Sequence, residues 1–362
     1  MNSFSNPIKI LKIILSPLLL LLGAVYSVIM LFRNLLYDLR ILKVNFVSGP
    51  QIISIGNLTA GGTGKTPITA ELYKGLMAKG LLTYIISRGY RGNYATYFSK
   101  DAVEVDFKLD QASSIFGDEP TWFNETLKAR VWVGKNKFET AQMMLRSQAE
   151  APQIILADDA FQHRKLGRNL DILVIDATAG FLDYLPLPLG RGREDFVLGL
   201  RRADIIILNK INLVSVARVT CLRNILKALK THKSTFIEAS NEISKFVLLD
   251  SNQVFHFENR DRKKVFLASG IARPAQFLDL INAKGTVQVA GHFVLPDHAD
   301  FSSEILKRIE SQALQSGSEY IVVTEKDAVK MKGVKLQLPI LVSHLKLLAP
   351  ELLDAVFDRI PR

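Results

Sequence analysis

The residues best suited to chemistry lie in Gln51–Thr66, QIISIGNLTAGGTGKT. An apolar run, a glycine-rich turn and Lys65-Thr66 follow one another there. A strand, a glycine-rich loop and Lys-Thr at a helix start make a cradle for nucleotide phosphates. Backbone N–H groups around Gly61, Gly62 and Gly64 can turn onto phosphate oxygens, and the helix N-terminus adds partial positive charge. Lys65 would reach the β- and γ-phosphates, and the Thr66 hydroxyl would ligate Mg²⁺. The cradle runs from Thr59 through Ala60, Gly61, Gly62, Thr63 and Gly64 to Lys65 and Thr66. Position 59 is Thr where the pattern G-x-x-x-x-G-K-[ST] has Gly, so the turn begins differently.

Other polar clusters follow apolar runs. Asp158 and Asp159 end the run Gln153–Ala157. An apolar strand ending in Asp is the second half of a phosphate-loop site, and adjacent carboxylates repel unless a cation is near. Arg88-Gly89-Tyr90-Arg91-Gly92 reads either as an anion contact or as a solvated basic loop. Asp118, in Gly117-Asp118-Glu119-Pro120, reads by itself as a helix N-cap. Glu194, in Leu189-Gly190-Arg191-Gly192-Arg193-Glu194, either adds to a metal shell or forms a surface salt bridge. Asn209-Lys210-Ile211-Asn212 nearly matches the guanine-reading N-K-x-D. Its last residue is an amide, which accepts poorly from the guanine N–H donors.

These residues need rigid elements behind them. Ile52–Ile55, Thr83–Ser87, Val131–Val133, Gln153–Ala157, Asp171–Ile175 and Asp204–Leu208 are continuous apolar runs. Runs of this kind are strands buried on both faces, which predicts a parallel sheet covered by helices. Ligands in such sheets sit beyond the carboxyl ends of the strands. Phe246–Asp250 and Gln253–Glu258 flank Ser251-Asn252 and predict a short hairpin bridging two lobes. A fresh series then begins: Val265–Ala268, Thr286–Ala290, Tyr320–Thr324 and Pro339–Val342.

The chain has 362 residues, 48% of them hydrophobic and 22% charged, enough for two globular domains and an appendage. Cys221 is the one cysteine, which excludes an internal disulfide and a Cys-rich zinc site. A net charge of +11 suits anionic lipid or phosphorylated substrates. No nucleic-acid motif accompanies it, so no nucleic-acid partner is expected. Ile13–Phe32 is uncharged and long enough to cross a bilayer as a helix, with basic residues on both sides. Pro17 and Gly23 interrupt it, so it either spans or lies in the interface.

GNLTAGGTGKTP, SRGYRG, GDEP, DDAFQHR, SGIARP, LPDH and TEKDAVK occur together and in order. The set resembles the tetraacyldisaccharide 4′-kinase family of lipid A biosynthesis, from about Ile52 to Lys330. The resemblance implies a P-loop NTPase-like α/β domain, a second smaller α/β domain and a two-stranded linker, with ATP and Mg²⁺ between the lobes. The expected division is 1–40 as a membrane-associated helix, 41–240 as the kinase domain, and 241–362 as the linker and second domain. The implied reaction is phosphorylation of the 4′-hydroxyl of a tetraacylated glucosamine disaccharide 1-phosphate. Asp118 and His298 match the family's catalytic pair, with Lys65 on the phosphates. Asp158 or Asp159, with Glu194, matches its metal-handling carboxylates, beside the Thr66 hydroxyl of the loop. Position 160 is Ala where Gly is common, and the sequence around Glu194 departs from the family form.

The expected partners are a membrane-embedded glycolipid and anionic inner-membrane lipids, with no obligate protein partner. The expected location is the cytoplasmic face of the bacterial inner membrane. The rival readings are a GTPase-like switch or metallochaperone of the same loop class, and a membrane-anchored ATP-dependent scaffold.

Overall fold

The computed structural model describes residues 16–257, 263–297, 299–331 and 333–360. Two sheets organise the chain. The first has eight strands: β1 (Gln51–Asn57), β2 (Thr83–Ser87), β3 (Ala102–Glu104), β4 (Val131–Gly134), β5 (Ile154–Asp158), β6 (Leu170–Asp176), β7 (Ile205–Asn209) and β8 (Thr235–Glu238). Their order is β3-β4-β2-β5-β1-β6-β7-β8, and every pairing is parallel except β3 with β4. Side chains alternate between two buried faces. Ile53 and Ile55 pack with Ile68, Leu72 and Leu76 of the helix Lys65–Ala78. Ile52 points the other way, towards Ala141 and Met144. This double covering is why the strands read as unbroken apolar runs. The two strands without such a signature, β3 and β8, lie at the edges.

The second sheet comprises β9 (Ser240–Leu248), β10 (Val254–Phe255), β11 (Lys263–Ser269), β12 (Val287–Val294), β13 (Tyr320–Thr324) and β14 (Ile340–Leu348), in the order β10-β9-β14-β13-β11-β12. The expected hairpin at Ser251-Asn252 exists, with Val254 paired to Val247 and Asn252 at φ 55°. It is not the bridge between lobes. That role falls to β9 and β14, which run antiparallel from Leu248–Leu341 to Ser240–Leu348. β9 starts directly after β8, so one strand leaves the first sheet as the other returns. Beyond β14, the helix Leu352–Phe357 packs back onto the first lobe, with Leu352 and Val356 in the same cluster as Ile68 and Leu72. The chain thus crosses the linker twice.

The helix Ser16–Asp38 lies along the first lobe. The Tyr26 hydroxyl donates to the Arg193 carbonyl at 3.0 Å, and Arg33 donates to the Gln162 carbonyl at 2.7 Å. Arg164 donates to the Asn34 carbonyl at 3.0 Å and to Asp38 Oδ1 at 2.6 Å. The rest of its surface is apolar and exposed, from Leu18 to Leu35. By length and composition alone, Pro17–Asp38 is apolar enough to cross a membrane.

Candidate active site between the lobes

A cleft of about 1030 Å³ separates the two lobes. The phosphate loop, from Ala60 to Thr66, forms one wall. Gly61 at φ 109° and Gly64 at φ 88° give the loop its turn. A Cβ on Gly64 would stand 2.3 Å from Asn209 Nδ2. Side chains at the ends of neighbouring strands hold the loop from behind. Asn57 Nδ2 donates to Thr63 Oγ1 at 2.8 Å, and Asn209 Nδ2 donates to the Thr63 carbonyl at 3.1 Å. The buried Lys210 ammonium donates to the Gly62 carbonyl at 2.8 Å and pairs with Asp176 at 2.7 Å.

Thr59, expected as part of the cradle, does not line the cleft, whose loop wall begins at Ala60. It is buried and forms a bridge with Gly192, and the neighbouring Ala60 N–H donates to the Arg191 carbonyl at 2.8 Å. This pairing fixes the entry to the loop, so a non-glycine residue is tolerated at position 59.

Lys65 and Thr66 open the helix, as expected. Lys65 Nζ sits 3.4 Å from Asp159 Oδ1. Thr66 Oγ1 donates to Glu119 Oε1 at 2.8 Å. Asp158 ends β5 opposite Ile55 of β1, one strand away from the phosphate loop. Its Oδ2 accepts from Ser87 at 3.4 Å, while its buried Oδ1 has no hydrogen-bond partner. Burial, and after it the charge on Glu119, push this carboxyl up to about 7. Asp159 behaves oppositely. Burial disfavours its charge, but Lys65 and a two-pronged contact from Arg193, at 2.8 and 3.1 Å, hold it well below the usual carboxylate range. Two adjacent carboxylates therefore do different work: one is locked by cations, and the other is left with an unsatisfied oxygen. Among the described residues, no three His, Cys, Asp or Glu side chains converge to hold an ion unaided.

Glu194 does not join this group. Both prongs of Arg202 reach it, at 2.9 and 3.1 Å, and Gln162 Nε2 donates to it at 2.7 Å. Asn34 of the N-terminal helix reaches its other oxygen at 3.4 Å. The carboxylate is buried and engaged by these donors, so it braces the helix against the lobe, and it is not among the residues that line the cleft. The motif DDAFQHR divides in the same way. Asp158 and Asp159 face the cleft, whereas Gln162 and Arg164 hold the N-terminal helix.

Asp118 lines the cleft. Gly117, at φ 94°, takes the N-cap position, so Asp118 is the first helical residue and its carboxylate is not the cap. Lys330 Nζ pairs with Asp118 Oδ2 at 2.7 Å, and both side chains are largely buried. One turn earlier, Lys326 contacts Glu119. Spaced four apart within TEKDAVK, the two lysines bring the second lobe onto the first. Burial works against the Glu119 charge, yet Lys326 and Lys65 hold its carboxyl down to about 2. Sequence reasoning missed Glu119, Lys326 and Lys330 as site residues. Their signal was in GDEP and TEKDAVK, but only the fold pairs the two motifs. Asp327 bonds within the second lobe, accepting from Thr324 Oγ1 at 2.7 Å and the Gly270 N–H at 3.2 Å.

His298 lies outside the described residues. Asp297, just before it, lines the cleft, and its carbonyl accepts from Arg91 of SRGYRG at 2.8 Å. Arg88 also lines the cleft. At the far end, Arg273 of SGIARP approaches Asp183 at 3.6 Å and Asp176 at 3.9 Å. The motifs that followed separate strands thus meet across one crevice.

The near-match to a guanine reader has a structural explanation. Asn209 and Lys210 hold the phosphate loop. Asn212, where a guanine reader carries Asp, donates to the Asn241 carbonyl at 2.7 Å and accepts from its N–H at 3.2 Å. Its amide ties β9 to the first lobe.

The family model described as tetraacyldisaccharide-1-P 4′-kinase matches residues 15–360. A tetraacyldisaccharide 4′-kinase of Bdellovibrio bacteriovorus is 36% identical over 313 residues, covering 86% of this chain and 88% of the relative. One from Pelobacter propionicus is 32% identical, covering 92% and 89%. A crystal structure of LpxK from Aquifex aeolicus in complex with ATP superposes with a TM-score of 0.72 at 24% identity, covering 97% of this chain and all of the other. That likeness establishes the two-lobed α/β fold, and the sequence matches run through both lobes. The chain belongs to the tetraacyldisaccharide-1-P 4′-kinase family.

Proposed function

We propose that the protein transfers the γ-phosphoryl group of ATP to the 4′-hydroxyl of a tetraacylated glucosamine disaccharide 1-phosphate, giving lipid IVA on the route to lipid A. The observation that carries this reading is the shared cleft: Lys65 of the phosphate loop and Asp118 of GDEP line one cavity, in a chain of this family. ATP would lie along Ala60–Thr66 with its phosphates on the loop N–H groups. Lys65 would leave Asp159 for the phosphates, where its charge offsets the negative charge that grows on the transferred group.

The residues present fit a divalent cation. Asp158 Oδ1 is buried without a partner, and Thr66 Oγ1 lies at the helix start beside Glu119. Thr66 and Asp158 would hold Mg²⁺, which supplies charge neutralisation for the phosphates. Asp159, held by both prongs of Arg193, would take no direct part.

A sugar hydroxyl is a weak nucleophile at neutral pH, and a placed base speeds its attack. Asp118 would take that proton once the incoming hydroxyl displaces Lys330 from it. His298, next in the chain to the cleft residue Asp297, would orient Asp118 or share the proton. Mass spectrometry of a tetraacyldisaccharide 1-phosphate after incubation with the protein, ATP and Mg²⁺ tests the reaction; a gain of one phosphate is expected, and an unchanged lipid overturns it. In the same assay Asp118→Asn should lower kcat by about 10²–10⁴-fold with little change in the KM for ATP.

We also propose that the N-terminal helix lies in the cytoplasmic leaflet of the inner membrane and does not cross it. Its contacts with the lobe run from Gly23, 3.5 Å from Pro186 if it carried a Cβ, to Asp38. The fifteen steps between them cover about 22 Å of helix. A helix fastened along that length to the lobe, with apolar side chains exposed beside the contact, suits an interfacial position. Arg40 and Lys43, both exposed, would meet anionic headgroups.

A further inference from the structure

The loop between β6 and the helix Phe196–Arg202 carries an apolar tip that the active site does not use. Phe181 is 81% exposed and Leu182 is 71% exposed, side by side on one 3-10 turn, Phe181–Tyr184. Large adjacent apolar side chains at such exposure are unusual unless something covers them. The turn is firmly held from beneath. Asp183 Oδ2 accepts from the Gly180 N–H at 2.9 Å, the Arg191 N–H donates to the Asp183 carbonyl at 3.0 Å, and the Tyr184 ring stands edge-on against Phe196 at 4.8 Å. Arg218 grips the loop entry, donating to the carbonyls of Ala177 and Ala179. The apolar tip is therefore rigidly presented.

The same loop lies against the N-terminal helix. A Cβ on Gly23 would stand 3.5 Å from Pro186 Cγ and 3.6 Å from Leu189 Cβ, and Tyr26 bonds to the Arg193 carbonyl at 3.0 Å. That helix exposes Leu20, Leu21, Leu22 and Val25 around the contact. The loop's other end bonds to the phosphate loop through Arg191 and Gly192.

We propose that Phe181 and Leu182 form a second membrane anchor, inserting into the leaflet beside the N-terminal helix. The occupant is a lipid surface because the loop that carries this tip packs, at Pro186 and Leu189, on the helix whose apolar side chains are themselves exposed; the inference rests on the membrane placement proposed above. Two anchors would fix the orientation of the lobe, whereas a single helix would leave it free to roll. The phosphate loop, joined to this loop by the Thr59–Gly192 bridge, would then be held at a set height above the lipid.

The lone, exposed Cys221 makes the test direct. In a full-length Cys221→Ser background, an NBD fluorophore is attached through Phe181→Cys in one variant and Val28→Cys in another. Each is mixed with phosphatidylethanolamine–phosphatidylglycerol vesicles carrying doxyl-labelled acyl chains. Quenching and a blue shift at both positions are expected. Quenching at position 28 alone overturns the second anchor and leaves the membrane placement standing. Quenching at neither overturns both. A matching variant, Phe181→Ser with Leu182→Ser, should keep the wild-type melting temperature and sediment with the vesicles at least fivefold less. Unchanged sedimentation, or concentration-dependent dimerisation that this pair of substitutions abolishes, would also overturn the proposal.

Discussion

At the scale of single residues, the site shows how one sequence pair can hold two chemistries. Asp158 and Asp159 are adjacent, yet burial and Glu119 raise the first to about 7 while Lys65 and Arg193 hold the second low. The backbone makes the separation: Asp159 stands at φ 47°, turning it away from the strand and onto Arg193. Because the folded protein holds the Asp158 proton more tightly than the unfolded chain does, folding binds protons. The Asp158 contribution to the stability of the nucleotide-free protein should accordingly fall as pH rises from about 4, the ordinary carboxylate value, to about 7, against the opposite contribution of His163, which burial holds down to about 4. Asp158→Asn should flatten that slope. Its melting temperature at pH 8, without nucleotide, should exceed the wild type by about 2–4 °C for each kcal/mol recovered, with little gain at pH 4 and phosphotransfer lost. Melting curves across pH check it, and an equal shift at both pH values would refute it. An unpaired buried carboxylate that weakens the resting fold but serves the reaction is a common form of stability–function trade-off.

At the scale of elements, the phosphate loop is held by its neighbours more than by its own sequence. It leaves β1, meets Gly192 on one side, and is tied by Asn57, Asn209 and Lys210 on the other. Gly64 is required on two counts: its φ of 88° and the 2.3 Å between a would-be Cβ and Asn209. Gly64→Ala should weaken ATP binding at least about tenfold, since left-handed strain of about 1–2 kcal/mol adds to loss of the Asn209 bond. Isothermal titration with a non-hydrolysable ATP analogue measures this. Retained affinity would mean that the loop rearranges freely, contrary to the bracing seen. The N-terminal helix is likewise integrated with the catalytic lobe, through Gln162, Arg164 and Glu194 of two motifs whose other members face the cleft.

At the scale of the whole molecule, two lobes meet through a linker and a set of acid–base contacts. β9 and β14 carry the covalent connection; Lys326 and Lys330, onto Glu119 and Asp118, and Arg273, onto Asp176 and Asp183, carry the electrostatic one. Breaking a buried pair is destabilising, by up to about 3–5 kcal/mol. Lys330→Met should destabilise the protein in that direction, by at most about that amount, in urea unfolding. Adding Asp118→Asn should restore part of the loss, because the carboxylate charge that Lys330 offsets is then gone. Strict additivity of the two substitutions would show that the pair does not couple the lobes. The helix Leu352–Phe357 adds a third tie, since it belongs to the second half of the chain but packs in the first lobe's core.

The sequence by itself determined the strands and the loop chemistry. Buried parallel strands must be apolar on both faces, so β1, β2, β4, β5, β6 and β7 were legible as runs. Phosphate binding needs glycines followed by Lys-Thr, so the cradle was legible as a motif, as was the ordered set of motifs that marks the family. The edge strands β3 and β8 were not legible, since half-covered strands carry weaker patterns. What each charged residue meets emerged only from the folded chain. Folding paired GDEP with TEKDAVK, set Glu194 among Arg202, Gln162 and Asn34, bridged Thr59 to Gly192, and gave the connection between lobes to β9 and β14. The reason is physical: periodicity reports which side of an element is buried, whereas ion pairing depends on distances set by contacts remote in the chain.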